Sequence, residues 1–157
     1  MTSRPSLPNP IKTRLAETRK HALALKALLE ATTKEEFAAA VADGSPEALT
    51  TKVYPLERAF EILVNFVVEL SELGLQLANV VPDVSSAKVL KQLENEGVLA
   101  KARRERLASI YRARSQMQHG YPDVRTIATY DAARSLLDEL GGFFNDYARW
   151  LRKLGHG

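Results

Sequence analysis

Between Leu56 and Val81, polar residues recur at Arg58, Glu61, Asn65, Glu69, Glu72, Gln76 and Asn79, and nearly everything else is apolar. Steps of three and four residues place the polar series on one narrow stripe of an α-helix. Such a helix is dry around more than half its circumference and must bury two faces, one in the core of its own chain and one that a second copy could cover. Upstream, Ile11, Leu15, Ala22, Leu25 and Leu29 repeat at helical spacing. Thr33 and Glu36 together have the form of a capping box, and Gly44 ends the short helix that follows. Ser45 and Pro46 suit an N-cap and a first helical residue. Pro55 kinks the long helix or marks its true start.

Downstream of the long helix, "VPDVSS" reads as a turn and "SAKVLKQLENEG" as a short helix closed by Gly97. Leu99 to Gln118 forms a further helix. "RTIATY" leads into the last one, where Tyr130, Ala133, Leu137, Leu140, Phe144, Tyr147, Leu151 and Leu154 follow the 3.6-residue repeat up to Gly155. Apolar residues nowhere alternate with a period of two, so no strand is expected. The fold class predicted is all-α, a single-domain antiparallel bundle of five to six helices over residues 11–155. Pro5, Pro8 and Pro10 make residues 1–10 a flexible N-terminal segment.

Composition narrows the function classes. The 157 residues are 45% apolar and 26% charged, ordinary for one soluble domain. There is no cysteine, which excludes disulfides and thiolate metal sites. The N-terminus has no apolar segment of the signal-peptide type, and no stretch approaches the roughly 20 apolar residues of a membrane span. A cytoplasmic chain with no membrane partner is expected. No glycine-rich phosphate loop is present. His21, His119 and His156 lack metal-ligand spacing, and Glu57, Glu61, Glu69 and Glu72 lack the Glu-x-x-His companion of a carboxylate metal site in a bundle. No metal and no cofactor are expected.

The formal charge is only +3, but its distribution is uneven. Lys101, Arg103, Arg104, Arg106, Arg112 and Arg114 share one helix with a single acid, Glu105. This is either a solvated cationic face or a landing surface for a phosphate backbone. Leu107, Ile110 and Met117 mark the apolar stripe of that helix, and the stripe passes through position 114. Arg114 therefore points inward or toward an interface, where a lone guanidinium is costly. Its anion is either an internal carboxylate, with Glu61 and Glu69 as candidates, or a phosphate held in a cleft.

His119 follows five residues later, just before Gly120 and Pro122, where the helix is expected to stop and not resume. It either caps the last carbonyls or transfers protons near neutral pH. An arginine that clamps a phosphate and a histidine that moves a proton suffice to break a phosphodiester through its own ribose 2′-hydroxyl. One histidine cannot serve as both acid and base in a single step, and a symmetric dimer would bring two.

The stretch "RSQMQHGY" fits Arg-x4-His-x-Tyr, and the chain resembles the HepT-like branch of the HEPN superfamily over roughly residues 10–153. The long helix, "VPDVSS", the basic helix, the motif and the closing amphipathic helix follow that branch's order. The resemblance implies a metal-independent endoribonuclease, the toxin of a toxin–antitoxin pair, acting as a homodimer on RNA. Arg114 would bind and polarise the scissile phosphate and His119 would be the general acid/base. Arg104, Arg112 and Ser115 would contact RNA phosphates. Tyr121 matches the tyrosine that an MNT-type nucleotidyltransferase antitoxin modifies with AMP; from the residues alone it is equally a ring packed against the bundle end. Where the family often has Asn or Asp after the arginine, this chain has Ser115, whose hydroxyl can bond a phosphate or orient His119. A second role stays open: a non-catalytic subunit that binds nucleotide or substrate for a nucleotidyltransferase. A third is a structural dimerisation bundle in which Arg114 pairs with an internal carboxylate.

Overall fold

The computed structural model describes residues 6–118 and 122–157, the side chains of 122–127 excepted. The chain is all-α, as the periodicity predicts. The helices are α1 (Asn9–Ala31), α2 (Lys34–Asp43), the single turn α3 (Pro46–Ala48), α4 (Tyr54–Leu77), α5 (Ser86–Asn95), α6 (Lys101–Gln118) and α7 (Pro122–Lys153), with a π-helical stretch at Leu49–Val53.

Four of them make the bundle. Arg14 of α1 reaches Glu69 of α4 while His21, further along α1, packs its ring on Phe66, so the two helices run antiparallel. Arg114 and Gln118 of α6 meet Asn65 and Glu61 of α4 in the same reversed order. Arg103 of α6 reaches Asp146 of α7, whereas Ala113 shares a groove with Ala128, and this pair is antiparallel too. The short helices α2 and α5 flank α7 and α6.

The predicted caps form. Thr33 Oγ1 accepts from the Glu36 amide at 3.1 Å, Ser45 Oγ accepts from Ala48 at 3.2 Å, and Gly44 closes α2 with φ 66°. The hydroxyls of Thr50 and Thr51 donate to the carbonyls of Pro46 and Glu47 at 2.7 and 2.6 Å. They compete with the helical amides for those carbonyls, and Pro55 offers no amide of its own. A π turn absorbs both defects, and α4 starts immediately before the proline.

Three boundaries differ from expectation. The long helix stops at Leu77 rather than Val81. Asn79 takes φ 60° and the Val80 amide bonds the Leu75 carbonyl at 2.8 Å, a Schellman-type ending that removes Asn79 from the polar stripe. Pro122 starts α7 instead of blocking it: its fixed φ suits a first helical turn. Pro10 likewise sits in the first turn of α1, so helix begins inside the segment expected to be flexible. The buried face of α7 is centred on Leu136, Leu140, Phe143, Tyr147 and Trp150, while Leu137, Phe144 and Leu154 are only partly buried.

The core is mostly aliphatic and centred on α4, which packs within the chain against α1, α5, α6 and α7. Much of its apolar surface is covered within the chain, while Ile62, Phe66, Val68 and Leu73 stay partly exposed. Among the described residues, the large apolar side chains left exposed are Leu23, Tyr54, Val81 and Val84, and only Tyr54 belongs to α4. Several buried hydroxyls find carbonyl partners. The Thr18 and Ser71 hydroxyls donate to carbonyls four residues back at 2.5 and 2.8 Å. Tyr130 donates to the Thr32 carbonyl at 2.7 Å, closing the end of α1, and Tyr147 donates to Leu70 at 2.7 Å. Among the described residues no helix is long and apolar enough to cross a membrane.

The α4–α7 contact depends on Gly74, because a β-carbon there would collide with the Trp150 ring. Gly74→Ala is expected to destabilise the fold by about 1–3 kcal/mol in urea unfolding. A methyl group at Gly141, inside α7, meets nothing within 4 Å. Gly141→Ala should therefore stabilise by about 0.5–1 kcal/mol through helix propensity alone, the opposite sign on the same assay.

Candidate functional site

The basic helix α6 does not present its charges to solvent as a block. Arg103 donates to Glu139 at 3.0 Å and to Asp146 at 2.6 Å. Its guanidinium lies across Gly142, where a β-carbon would occupy the same space. Arg106 also bonds Glu139. Arg104 donates to Glu94 of α5 at 2.7 Å and stands 3.8 Å from Glu105. Arg104, expected to contact RNA, is therefore a tie between α5 and α6. Its partner lies outside the helix that made it look unpaired. Burial disfavours the charged form of Glu139, but the hydrogen bonds from Arg106 and Arg103 prevail and hold its carboxyl below the usual range.

Arg112 and Arg114 stand apart from this ladder. They are two positions apart, which is about 200° around a helix, so they leave α6 on different sides. Arg112 is exposed and lines a groove between α6 and α7 with Ser109, Gln116, Ser135 and Asp138. Ser115 is exposed as well. The residues expected at RNA phosphates do not converge: Arg104 bonds Glu94 of α5, Arg112 faces the α7 groove and Arg114 faces α4.

Arg114 is half-buried on the inner side, as the apolar stripe predicts, because Leu107, Ile110, Tyr111 and Met117 around it are buried. Its partner is not a carboxylate. Nη1 donates to Asn65 Oδ1 at 2.6 Å, and the guanidinium lies 5.8 Å from the centre of the Tyr111 ring. Its Nε is buried and finds no acceptor among the described residues. The acids expected to neutralise it are engaged elsewhere. Glu69 pairs with Arg14 at 2.8 Å, and Glu61 accepts from Arg58 at 3.3 Å and from Gln118 at 3.2 Å. Among the described residues no carboxylate forms an ion pair with Arg114.

Tyr111 completes the surroundings of Arg114. Its hydroxyl is buried without a partner among the described residues. Burial raises its pKa well above the ordinary phenol range; the Arg114 charge opposes this and the Glu72 charge adds to it. Tyr111 thus stays a neutral phenol at every physiological pH. His119 and Tyr121, expected as acid/base and modification site, lie outside the described residues. What α6 carries toward them is a cation fixed by an amide and an aromatic face, with Glu61 one turn of α4 away.

Asn65 is the site residue the sequence did not single out as a partner. It stood in the polar stripe, but only the α4–α6 register chooses it over Glu61 and Glu69.

The ladder has a pH signature. Glu139 has a depressed pKa in the folded state, so its contribution is full above the unfolded carboxyl value, near 4.5, and fades as pH falls through the lower folded value. Glu139→Gln should cost roughly 1.5–3 kcal/mol at neutral pH. It should also flatten the acid limb of a plot of stability against pH measured by urea unfolding. Compared with protein-family models, with curated proteins and with solved structures, the chain matches none.

Proposed function

We propose that the protein is a HEPN-type toxin of a toxin–antitoxin pair, a cytoplasmic metal-independent endoribonuclease that works as a homodimer. The observation that carries this reading is Arg114, a half-buried cation whose partners, Asn65 and the Tyr111 ring, are both uncharged. It stands five residues before His119, at the end of the penultimate helix. Arg114 draws a phosphodiester in and stabilises the charge that grows on it. One His119 takes the proton from the ribose 2′-hydroxyl as the O2′–P bond forms. The His119 of the second subunit gives a proton to the departing 5′-oxygen as the P–O5′ bond breaks. The products are a 2′,3′-cyclic phosphate and a 5′-hydroxyl.

A nucleotidyltransferase antitoxin neutralises the toxin by moving AMP from ATP to the Tyr121 oxygen, with release of pyrophosphate. The added phosphate then competes for Arg114. The reading in which Arg114 pairs with an internal carboxylate loses its support, since Glu61 and Glu69 are bonded to other residues.

The purified protein should cleave RNA in the presence of EDTA and leave cyclic-phosphate ends, followed by gel and mass spectrometry. His119→Ala should lower the rate about 10²–10⁴-fold, the usual worth of a general acid/base. Arg114→Ala should lower it at least as far. Full cleavage by both variants, or cleavage that EDTA abolishes, would overturn the assignment.

A further inference from the structure

Three residues of the α4 polar stripe bond an arginine, two as ion pairs, one of these with Arg58 of the same helix. Arg14 has Glu69 at 2.8 Å and Arg58 has Glu61 at 3.3 Å. Between these two acids, at the level of Arg114, the stripe carries an amide instead. Asn and Asp have nearly the same shape, and an aspartate at this place would accept the guanidinium as a charge-assisted pair. The chain has the neutral isostere. We propose that Asn65 is a positioning residue for the anion site, holding the Arg114 fork in place without cancelling its charge. This rests on the reading of Arg114 as a phosphate-binding residue and adds the group that makes such binding possible.

The energetics argue the same way. A carboxylate within hydrogen-bond distance in a partly buried seam screens a guanidinium from any second anion, because the pair presents little net charge. An amide oxygen supplies direction and one hydrogen bond but leaves the unit charge intact. The Tyr111 face does the same: the ring quadrupole attracts the cation without neutralising it. The unpartnered Nε is the cost of this arrangement, a covered donor to which no described group offers an oxygen. A carboxylate at position 65 would neutralise Arg114, whereas the amide leaves its charge for an anion from outside.

The test uses the full-length chain and inorganic phosphate as probe. The Arg114 Nε–Hε resonance, assigned through Arg114→Lys, is followed by NMR as phosphate is added. In the wild type the signal should move with saturation. In Asn65→Asp it should stay still or respond with at least tenfold weaker affinity, while circular dichroism shows the variant folded. Asn65→Leu, neutral but without an acceptor, should still bind phosphate within about tenfold of the wild type, and its kcat for RNA should fall more than its KM rises. An equal response in wild type and Asn65→Asp overturns the proposal, and so does a signal that phosphate moves in neither. Unchanged kcat in Asn65→Leu overturns the positioning role even where Asn65→Asp misfolds. RNA cleavage separates the two readings. A chain that binds phosphate, loses it on Asn65→Asp and yet cuts no RNA keeps Asn65's role and removes the nuclease.

Discussion

The interior of this protein is organised by α4, an apolar helix with one polar stripe that has to be covered on its remaining sides. Packing α1, α5, α6 and α7 against it meets that demand within a single chain. The fit is closest where Gly74 lets the Trp150 ring approach the helix backbone and Tyr147 gives its hydroxyl proton to Leu70. Once those contacts fix α7, the antiparallel neighbours on the other sides have little freedom. The polar stripe then faces the seam between α1 and α6, where Arg14 and Arg114 reach it. The location of the candidate site follows from hydrophobic burial before any chemistry is considered.

Charge is distributed along α6 in two regimes. Over its first two turns Arg103, Arg104 and Arg106 are matched by Glu94, Glu139 and Asp146 from the helices on either side. They act as cross-braces, and a phosphate backbone laid along them would have to compete with those acids. Over its last two turns Arg112 and Arg114 have no such partner among the described residues. Any RNA contact would therefore be concentrated at the C-terminal end of the helix, with few phosphates engaged per subunit. A weak dependence on salt goes with that arrangement, since the slope scales with the number of phosphates neutralised.

Much of the fold was legible because the signals were local. Thr33, Gly44, Ser45 and Pro46 punctuate the chain by their own backbone preferences, and the apolar repeats identify helices without reference to tertiary contacts. The misreadings came where two local signals compete or where a distant segment decides. Pro122 is both a helix breaker and a good first residue, and only the start of α7 shows which role it takes. Asn79 continued the polar series by spacing, yet its tolerance of positive φ made it the residue that ends α4. The polarity of α6 could not be judged from its own residues, because the acids that neutralise it lie on α5 and α7. The register of α4 against α6 is set after an intervening turn and helix, so periodicity could place Arg114 on the inside but could not choose among Glu61, Asn65 and Glu69.

Arg103 and Arg114 show what separates a structural arginine from one that can serve a ligand. Both lie on α6, and both are partly buried. Arg103 receives two carboxylates and a glycine groove cut to its shape. Arg114 receives an amide oxygen, an aromatic face and an unpartnered Nε. The same fold therefore neutralises a buried guanidinium fully at one end of the helix and leaves one charged at the other. Glu61 and Glu69 flank Asn65 on the stripe, but both are bonded to other residues. An arginine held only by uncharged partners is accounted for if the anion it binds comes from outside the chain.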